Sequence, residues 1–268
     1  PLQRPLGEER VSIDRIPLSV QVINADQLKA LHLQDLAEIL TYVGGLRLHD
    51  EIGNGSNIQL ASRGDGTGEK ILLIVDGIIF NDTFSGVPLW HQLSARDIEC
   101  VEIFTPAAAY QMGYSKVVYV YTAQSDSGPS YNMTLSGGNL GQGSSGFSIR
   151  GLALGNSITT NWSVDRNLSE GARLHNALYR NTRMSGVTNF VLSDKVLLAW
   201  VLRYGDSYQE YPGELNQDEL EFDRTQTLTP KSGGTDSVLG NAFNLTYKLK
   251  ENMVLQTNVS MLDRRTDE

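Results

Sequence analysis

Tyr131-Asn132-Met133-Thr134-Leu135-Ser136 reads as a ribbon with two unlike sides, apolar at the odd positions and polar but uncharged at the even ones. Strict alternation is the signature of a β-strand that sets one face against an apolar medium and the other against something wet. The same grammar recurs onward. Phe147 and Ile149 alternate with Ser148 and Arg150, and Ile158, Trp162 and Val164 with Thr159, Asn161, Ser163 and Asp165. It returns in Phe243, Leu245, Tyr247 and Leu249 against Asn244, Thr246 and Lys248, then in Leu255, Val259 and Met261 against Gln256, Asn258 and Ser260. Residues 196–204 are more apolar throughout, although Trp200 and Tyr204 share a face. At about ten residues per membrane-spanning strand plus turns, residues 130–268 hold about seven strands.

A soluble β-sandwich alternates in the same way, and the pattern alone does not separate the two. Two features favour a barrel in a membrane. The polar face is dominated by Asn, Ser, Thr and Gln, while aromatics sit near strand ends, where membrane interfaces favour them. Connections also alternate in length, with a short turn at Lys250-Glu251-Asn252 and a long excursion from Gln209 to about Asp236, as short periplasmic turns and long extracellular loops would.

Composition narrows the partners. Lys and Arg total 22 against 31 Asp and Glu, a formal charge of -9, which argues against wrapping a nucleic-acid backbone. No apolar run approaches the ~18 residues of a spanning helix, and no basic segment followed by an apolar one opens the chain at Pro1, which reads as a mature or trimmed end. Mean hydropathy of -0.25 suits a soluble protein and a β-barrel alike. The single cysteine, Cys100, reads as a small buried residue on a strand.

Upstream of the turn-rich 124–130 segment the grammar differs, so we place a boundary there, with domains at 1–125 and 126–268. Leu18 to Ile23 reads as a strand, and Asn24 with Gln27 as a capping box opening a helix through about Leu31. Leu33, Leu36, Ala37, Leu40 and Val43 recur at helical spacing before the stop Gly44-Gly45. Short strands follow at 46–48 and 58–60. Ile71-Leu72-Leu73-Ile74-Val75 lacks alternation, which suggests a strand buried on both faces, and it ends at the turn Asp76-Gly77. Residues 98–103 and 117–122 are further strands, giving a small domain that mixes helix and sheet.

In order and approximate spacing, several stretches resemble the plug domain of TonB-dependent outer-membrane receptors: Pro17 to Ile23, Leu36 to Leu46, Ile58 with Arg63-Gly64, Leu73 to Gly77, Asn81-Asp82, and Asp97 to Ile103. The second half resembles that family's first barrel strands, with Glu170-Gly171-Ala172-Arg173 at a strand-loop junction and Tyr211-Pro212-Gly213-Glu214-Leu215 in a long loop. The resemblance implies an α+β plug followed by antiparallel strands of a barrel of about 22 in all. It implies import of a scarce, bulky ligand, a siderophore, a cobalamin or similar, across the outer membrane of a Gram-negative bacterium. It also implies TonB with its inner-membrane energising complex, a small-molecule or metal-chelate ligand and outer-membrane lipid as partners, with no nucleic acid and no cofactor.

Open strand edges are intolerable in lipid, so the remaining barrel strands are expected from further residues of the chain or from another subunit. No TonB-binding box is recognisable before Val11. Where the family carries Arg-Gly-Pro and then Gly-Gly, this chain has Phe104-Thr105-Pro106 and the segment 107–116 without a Gly-Gly pair. The alternative reading is therefore a receptor-derived scaffold or assembly partner that does not transport.

For sites, the resemblance points to Arg63, Gly64, Asp76 and Gly77 as the lock between plug and barrel, with Arg63 donating charge-assisted hydrogen bonds to the barrel wall. Asp76-Gly77 also suits a plain structural turn. Ligand-facing loops are expected around Asp50, Glu51, Asn54 and Asn57, and around Asn81, Asp82 and Phe84. Glycine spacing in residues 64–70 misses both nucleotide fingerprints and precedes a strand, so no phosphate loop is assigned. His32, His49, His91 and His175 show no metal-ligand spacing, and no nucleophile motif points to an enzyme.

Overall fold

The run Ile71–Val75 (β4) lies where its unbroken apolarity predicts, inside a sheet between two neighbouring strands and covered on both faces. The computed structural model describes residues 20–24, 26–28, 36–41, 46–50, 58–62, 71–82, 85–104, 114, 116–123, 128–139, 141–250 and 253–267. Around β4 the sheet runs in the order β1-β6-β7-β4-β5, with Val20–Ile23 (β1), Ile78–Ile79 (β5), Ile98–Phe104 (β6) and Lys116–Thr122 (β7). Only the β4 and β7 pairing is parallel. Leu73 and Val75 join Val101, Val118 and Val120 in the main core, together with Leu36, Ile39 and Leu40 of α1 (Leu36–Thr41). On the opposite face Leu72 and Val117 make a smaller cluster with Ile74, Phe104, Tyr114 and Tyr119.

Phe104 stands where the resemblance expects an arginine, and its ring meets Tyr119 edge to face at 5.4 Å. Leu46–Asp50 (β2) and Ile58–Ser62 (β3) form a separate antiparallel pair. The capping box is present: Asn24 N–H donates to Gln27 Oε1 at 3.0 Å and Gln27 N–H to Asn24 Oδ1 at 3.1 Å, opening a helical turn at 26–28. Cys100 is buried on β6.

From Ser130 onward one seven-stranded antiparallel meander follows, each strand beside its sequence neighbour. Its members are Ser130–Gly137 (β8), Gly143–Leu154 (β9), Ile158–Ser169 (β10), Tyr179–Ser193 (β11), Val196–Glu210 (β12), Gly233–Lys250 (β13) and Met253–Asp267 (β14). The ribbons do not stack as two layers. The N-terminal unit packs against one face of the single sheet. The long excursion is shorter than the sequence suggests, because Gln209 pairs with Gly234 and Glu210 with Gly233, leaving residues 211–232 as the loop. That loop carries an unanticipated helix, α2 (Gln217–Phe222), whose capping box joins Asn216 and Glu219. Residues 155–157 and 194–195 make the short turns of the opposite end.

Register turns the alternation into rows. Met133, Phe147, Val164, Met184, Tyr204 and Leu239 are successive cross-strand partners on the outward face, away from the N-terminal unit. Nearer the short turns lie further outward rows, such as Leu152, Thr160, Thr188, Trp200, Phe243 and Val259. Trp162 and Trp200 sit within their strands and not at the ends, their rings 5.7 Å apart. Trp162 folds over Gly186, where any Cβ would strike its indole. A bulge in β9 lets Ile149 and Leu152 both face outward, and Gly151 supplies the left-handed φ of +67° that the extra residue needs.

The more apolar stretch in β12 has a cause on the inner face. Val201, with Val187, Val238 and Ala242 of neighbouring strands, is buried in the same cluster as Leu73, Ile78 and Phe80 of the N-terminal unit. There the strands are apolar on the inner face as well as the outer, because the inner face packs on the core of the N-terminal unit.

Candidate functional site: the seam between the two units

Beside that dry patch the inner face is polar, as the alternation of Asn161, Ser163 and Asp165 predicts, and it is bonded to the N-terminal unit by arginines. Among the described residues, Arg150, Arg183, Arg203 and Arg264 of the sheet donate to acceptors of the N-terminal unit. In the other direction Arg96 donates to Thr134 Oγ1 at 2.8 Å and Ser144 Oγ at 3.0 Å.

The β4–β5 turn is the first contact. Asp76 adopts a left-handed φ of +45° and Gly77 one of +87°, a tight reversal that points the Asp76 carboxylate back at β7. It accepts from Thr122 N–H at 3.0 Å and Thr122 Oγ1 at 2.7 Å, and it pairs with the Arg203 guanidinium of β12. Arg203 also reaches Thr122 Oγ1 at 3.0 Å. Both partners are buried, so the charges see each other through little water. Gly77 lies so close to the sheet that a Cβ would stand 2.8 Å from Asn258 Nδ2.

A second contact grips the 3-10 turn Trp90–Gln92. Arg183 forms a buried pair with Asp165 and gives its remaining nitrogen, Nη1, to the His91 carbonyl at 3.2 Å and the Leu93 carbonyl at 3.1 Å. Asn181 Nδ2 adds 2.7 Å to the His91 carbonyl. Between those carbonyls the buried Gln92 side chain occupies the space over Gly205, which only a residue without Cβ leaves open.

Nearer the long loops, Arg264 is bidentate to Asp236, at 2.8 and 3.2 Å, and donates to Asp82 at 2.6 Å. His91 Nε2 lies 3.2 Å from Asp236. Burial opposes the Asp82 charge, but hydrogen bonds from Ser85 and Arg264 outweigh it and lower the carboxyl from 3.8 to about 2. Asp97 accepts from Ser163 at 2.6 Å and Ser185 at 2.9 Å, and Arg150 donates to the Arg96 carbonyl at 2.6 Å. These groups surround a cavity of about 20 Å³, whereas ligand pockets usually measure roughly 300–1,000 Å³. That cavity, formed by described residues, is too small for a bulky ligand.

Over the seam, Asn176, at φ +57°, donates to the Tyr211 and Ser232 carbonyls at 2.8 Å each, and Arg173 donates to the Gln226 carbonyl at 2.7 Å, fastening loop 170–178 to loop 211–232.

Of the residues singled out from sequence, Asp76, Gly77 and Asp82 lie in the seam. Asn81 is buried and holds its own unit together, accepting from Leu73 N–H at 2.8 Å and donating to the Ile71 and Gly86 carbonyls at 2.7 and 2.8 Å. Asp50 ends β2. Arg63, Gly64, Glu51, Asn54, Asn57 and Phe84 lie outside the described residues, as do residues 105–113 and the 64–70 glycine stretch. Sequence reasoning missed Arg183, Arg203, Arg264, His91 and Gln92. A signal existed for Arg203: in a stretch with Trp200 and Tyr204 on one face, it is the charge on the other. Among the described residues no cluster suited to a metal ion occurs, and His91 pairs with a carboxylate 145 positions away.

Arg183→Ala should destabilise docking of the two units by about 3–5 kcal/mol, since it strands a buried Asp165 and two carbonyls; a denaturant midpoint within 0.5 kcal/mol of wild type, by a rough reading of surface substitutions, would refute this. Because Asp82 has a folded-state value below its ordinary one, its contribution is present above about pH 4 and fades as pH falls toward 2. Wild type and Asp82→Asn should therefore differ in stability at pH 6 and converge near pH 2, which a denaturant series across that range measures.

The comparisons agree with this architecture. The family model described as TonB-dependent Receptor Plug Domain matches residues 12–117. No curated protein sequence matches the chain. Among solved structures, the siderophore receptor PiuA from Acinetobacter baumannii is similar at TM-score 0.72 and 16% identity, over 94% of this chain and 37% of that one. The ferric yersiniabactin uptake receptor FyuA from Yersinia pestis is similar at TM-score 0.74 and 14% identity, over 93% and 41%. Pseudomonas aeruginosa FpvA, solved with pyoverdines bound, is similar at TM-score 0.73 and 11% identity, over 92% and 34%. The chain thus spans about two-fifths or less of those structures' lengths. The first two are receptors. Residues 12–117 thus match the plug domain of TonB-dependent receptors, and the chain shares with the three solved structures the fold in which such a unit is seated on the inner face of an antiparallel strand wall.

Proposed function

We propose that the chain works in the outer membrane of a Gram-negative bacterium, as a receptor that admits a scarce, bulky ligand past its plug. The observation that carries this reading is the pair of unlike faces on one sheet: successive outward rows of exposed apolar side chains, and an inner face filled by the plug. Exposed Met133, Phe147, Val164, Tyr204 and Leu239 have no place against water as one contiguous band, but lipid accommodates them. The similar solved structures are a siderophore receptor, a ferric yersiniabactin uptake receptor and FpvA with pyoverdines bound, which supports a metal chelate as the ligand class here. Their low identity leaves its chemistry open.

In this reading the long loops face outward, and Asp50, Glu51, Asn54, Asn57, Asn81, Asp82 and Phe84 belong to the plug loops nearest the ligand. Arg63, Gly64, Asp76 and Gly77 belong to the lock. TonB and its inner-membrane complex supply the pull. The seam supports the need for one: among the described residues Asp76, Asp82 and the carbonyls of His91 and Leu93 are all held by arginines of the wall, so passage there requires several buried interactions to part together.

Two experiments test it. Uptake of a panel of radiolabelled ferric siderophores and cobalamin by cells expressing the native protein should saturate and should vanish on deletion of TonB or collapse of the proton-motive force; uptake indifferent to both would defeat the transport reading. Val164→Lys should cost about 2–4 kcal/mol of stability in lipid vesicles, the penalty for a cation on a mid-bilayer face. A cost near zero would place that face in water.

A further inference from the structure

Gln92 fits the wall by shape and not by hydrogen bonding. Its side chain fills the space that a Cβ on Gly205 would need, and the residue is 5% exposed. Gly205 does not take a left-handed φ, so the backbone does not demand a glycine at that point of β12; the room for Gln92 does. Within this fitted seat neither Nε2 nor Oε1 of Gln92 meets a hydrogen-bond partner.

Asn81 shows that the same unit satisfies a buried amide elsewhere. Equally buried, it accepts from Leu73 N–H and donates to the Ile71 and Gly86 carbonyls. Asn81 braces its own unit, whereas Gln92 faces the other one. The wall around the turn is no better matched, since Asn181 Oδ1 and Asp165 Oδ2 are buried without partners as well. A donor on the turn and acceptors on the wall are left over at one joint, so the deficit is one of arrangement and not of chemistry. Once the turn lifts away, the Gln92 amide regains water, and its missing hydrogen bonds therefore count against the docked state alone.

We propose that the Trp90–Gln92 turn is the release point of the seam. Shape and the grip of Arg183 and Asn181 on the carbonyls seat it, while the unbonded Gln92 amide lowers the free energy needed to lift it out. The seam then has a place at which parting begins, next to contacts such as Asp76 with Thr122 and Arg203 that hold to the end. The geometry carries this by itself; its use in transport rests on the function proposed above.

Hydrogen exchange read by mass spectrometry on the native protein purified from outer membranes tests this. The Gln92 and Leu93 amides donate to the Leu89 and Trp90 carbonyls, so their exchange reports opening of the turn. Gln92→Met keeps most of the volume and removes the amide. It should slow that exchange, corrected for intrinsic rates, by roughly five- to thirtyfold. Gln92→Leu takes its place if heat-modifiable gel mobility shows the Met variant unfolded. Asn81→Leu, which removes a fully bonded amide, should instead speed exchange in the plug. Unchanged or faster exchange in the folded Gln92 variant would mean that the amide is bonded when docked, as by a trapped water, and overturns the proposal. Slowed exchange in a protein whose uptake ignores TonB would sink the functional reading and leave the release point standing.

Discussion

The seam depends on one constraint: a buried guanidinium keeps its charge at any accessible pH, so each arginine on the inner wall must find fixed acceptors or lose several kcal/mol to desolvation. Arg203 finds Asp76 and Thr122; Arg183 finds Asp165 and the carbonyls on either side of Gln92. The plug's position follows from this requirement. Dry packing of Ile78 and Phe80 with Val187, Val201 and Val238 supplies cohesion, which is non-directional. The arginines supply register.

Most charged donors of the described seam come from the wall and meet Asp76, Asp82 and backbone carbonyls of the plug, while Arg96 of the plug donates the other way to Thr134 and Ser144. Arg63, the plug donor expected from sequence, lies outside the described residues. Phe104, where the resemblance expects another arginine, packs with Tyr119 against Leu72 and Val117. The contacts are also linked: Gln92, over Gly205, lies between the two carbonyls that Arg183 holds, and Arg264 ties Asp82 to the Asp236 that also meets His91.

Period-two alternation made the seven strands of the second half readable, because register in a half-buried ribbon is written in every second residue. The buried run at Ile71 and the Asn24–Gln27 box were readable for similarly local reasons. What escaped was either unread or nonlocal. Asn216 and Glu219 repeat the spacing of Asn24 and Gln27 inside a loop, and Gly151 within a strand is a bulge signal; both are local features of the sequence. The lock was not, since Asp82 and Arg264 are 182 positions apart and Asp76 and Arg203 are 127 apart, and no local pattern pairs them.

The most direct measurement is a charge-swap cycle at Asp76 and Arg203, read as the denaturant concentration at which the plug separates from the wall. The account predicts that Asp76→Arg and Arg203→Asp each lower it sharply, while the double exchange restores at least half of the loss. Additive losses in the double variant would contradict the claim that this buried pair sets the plug in place.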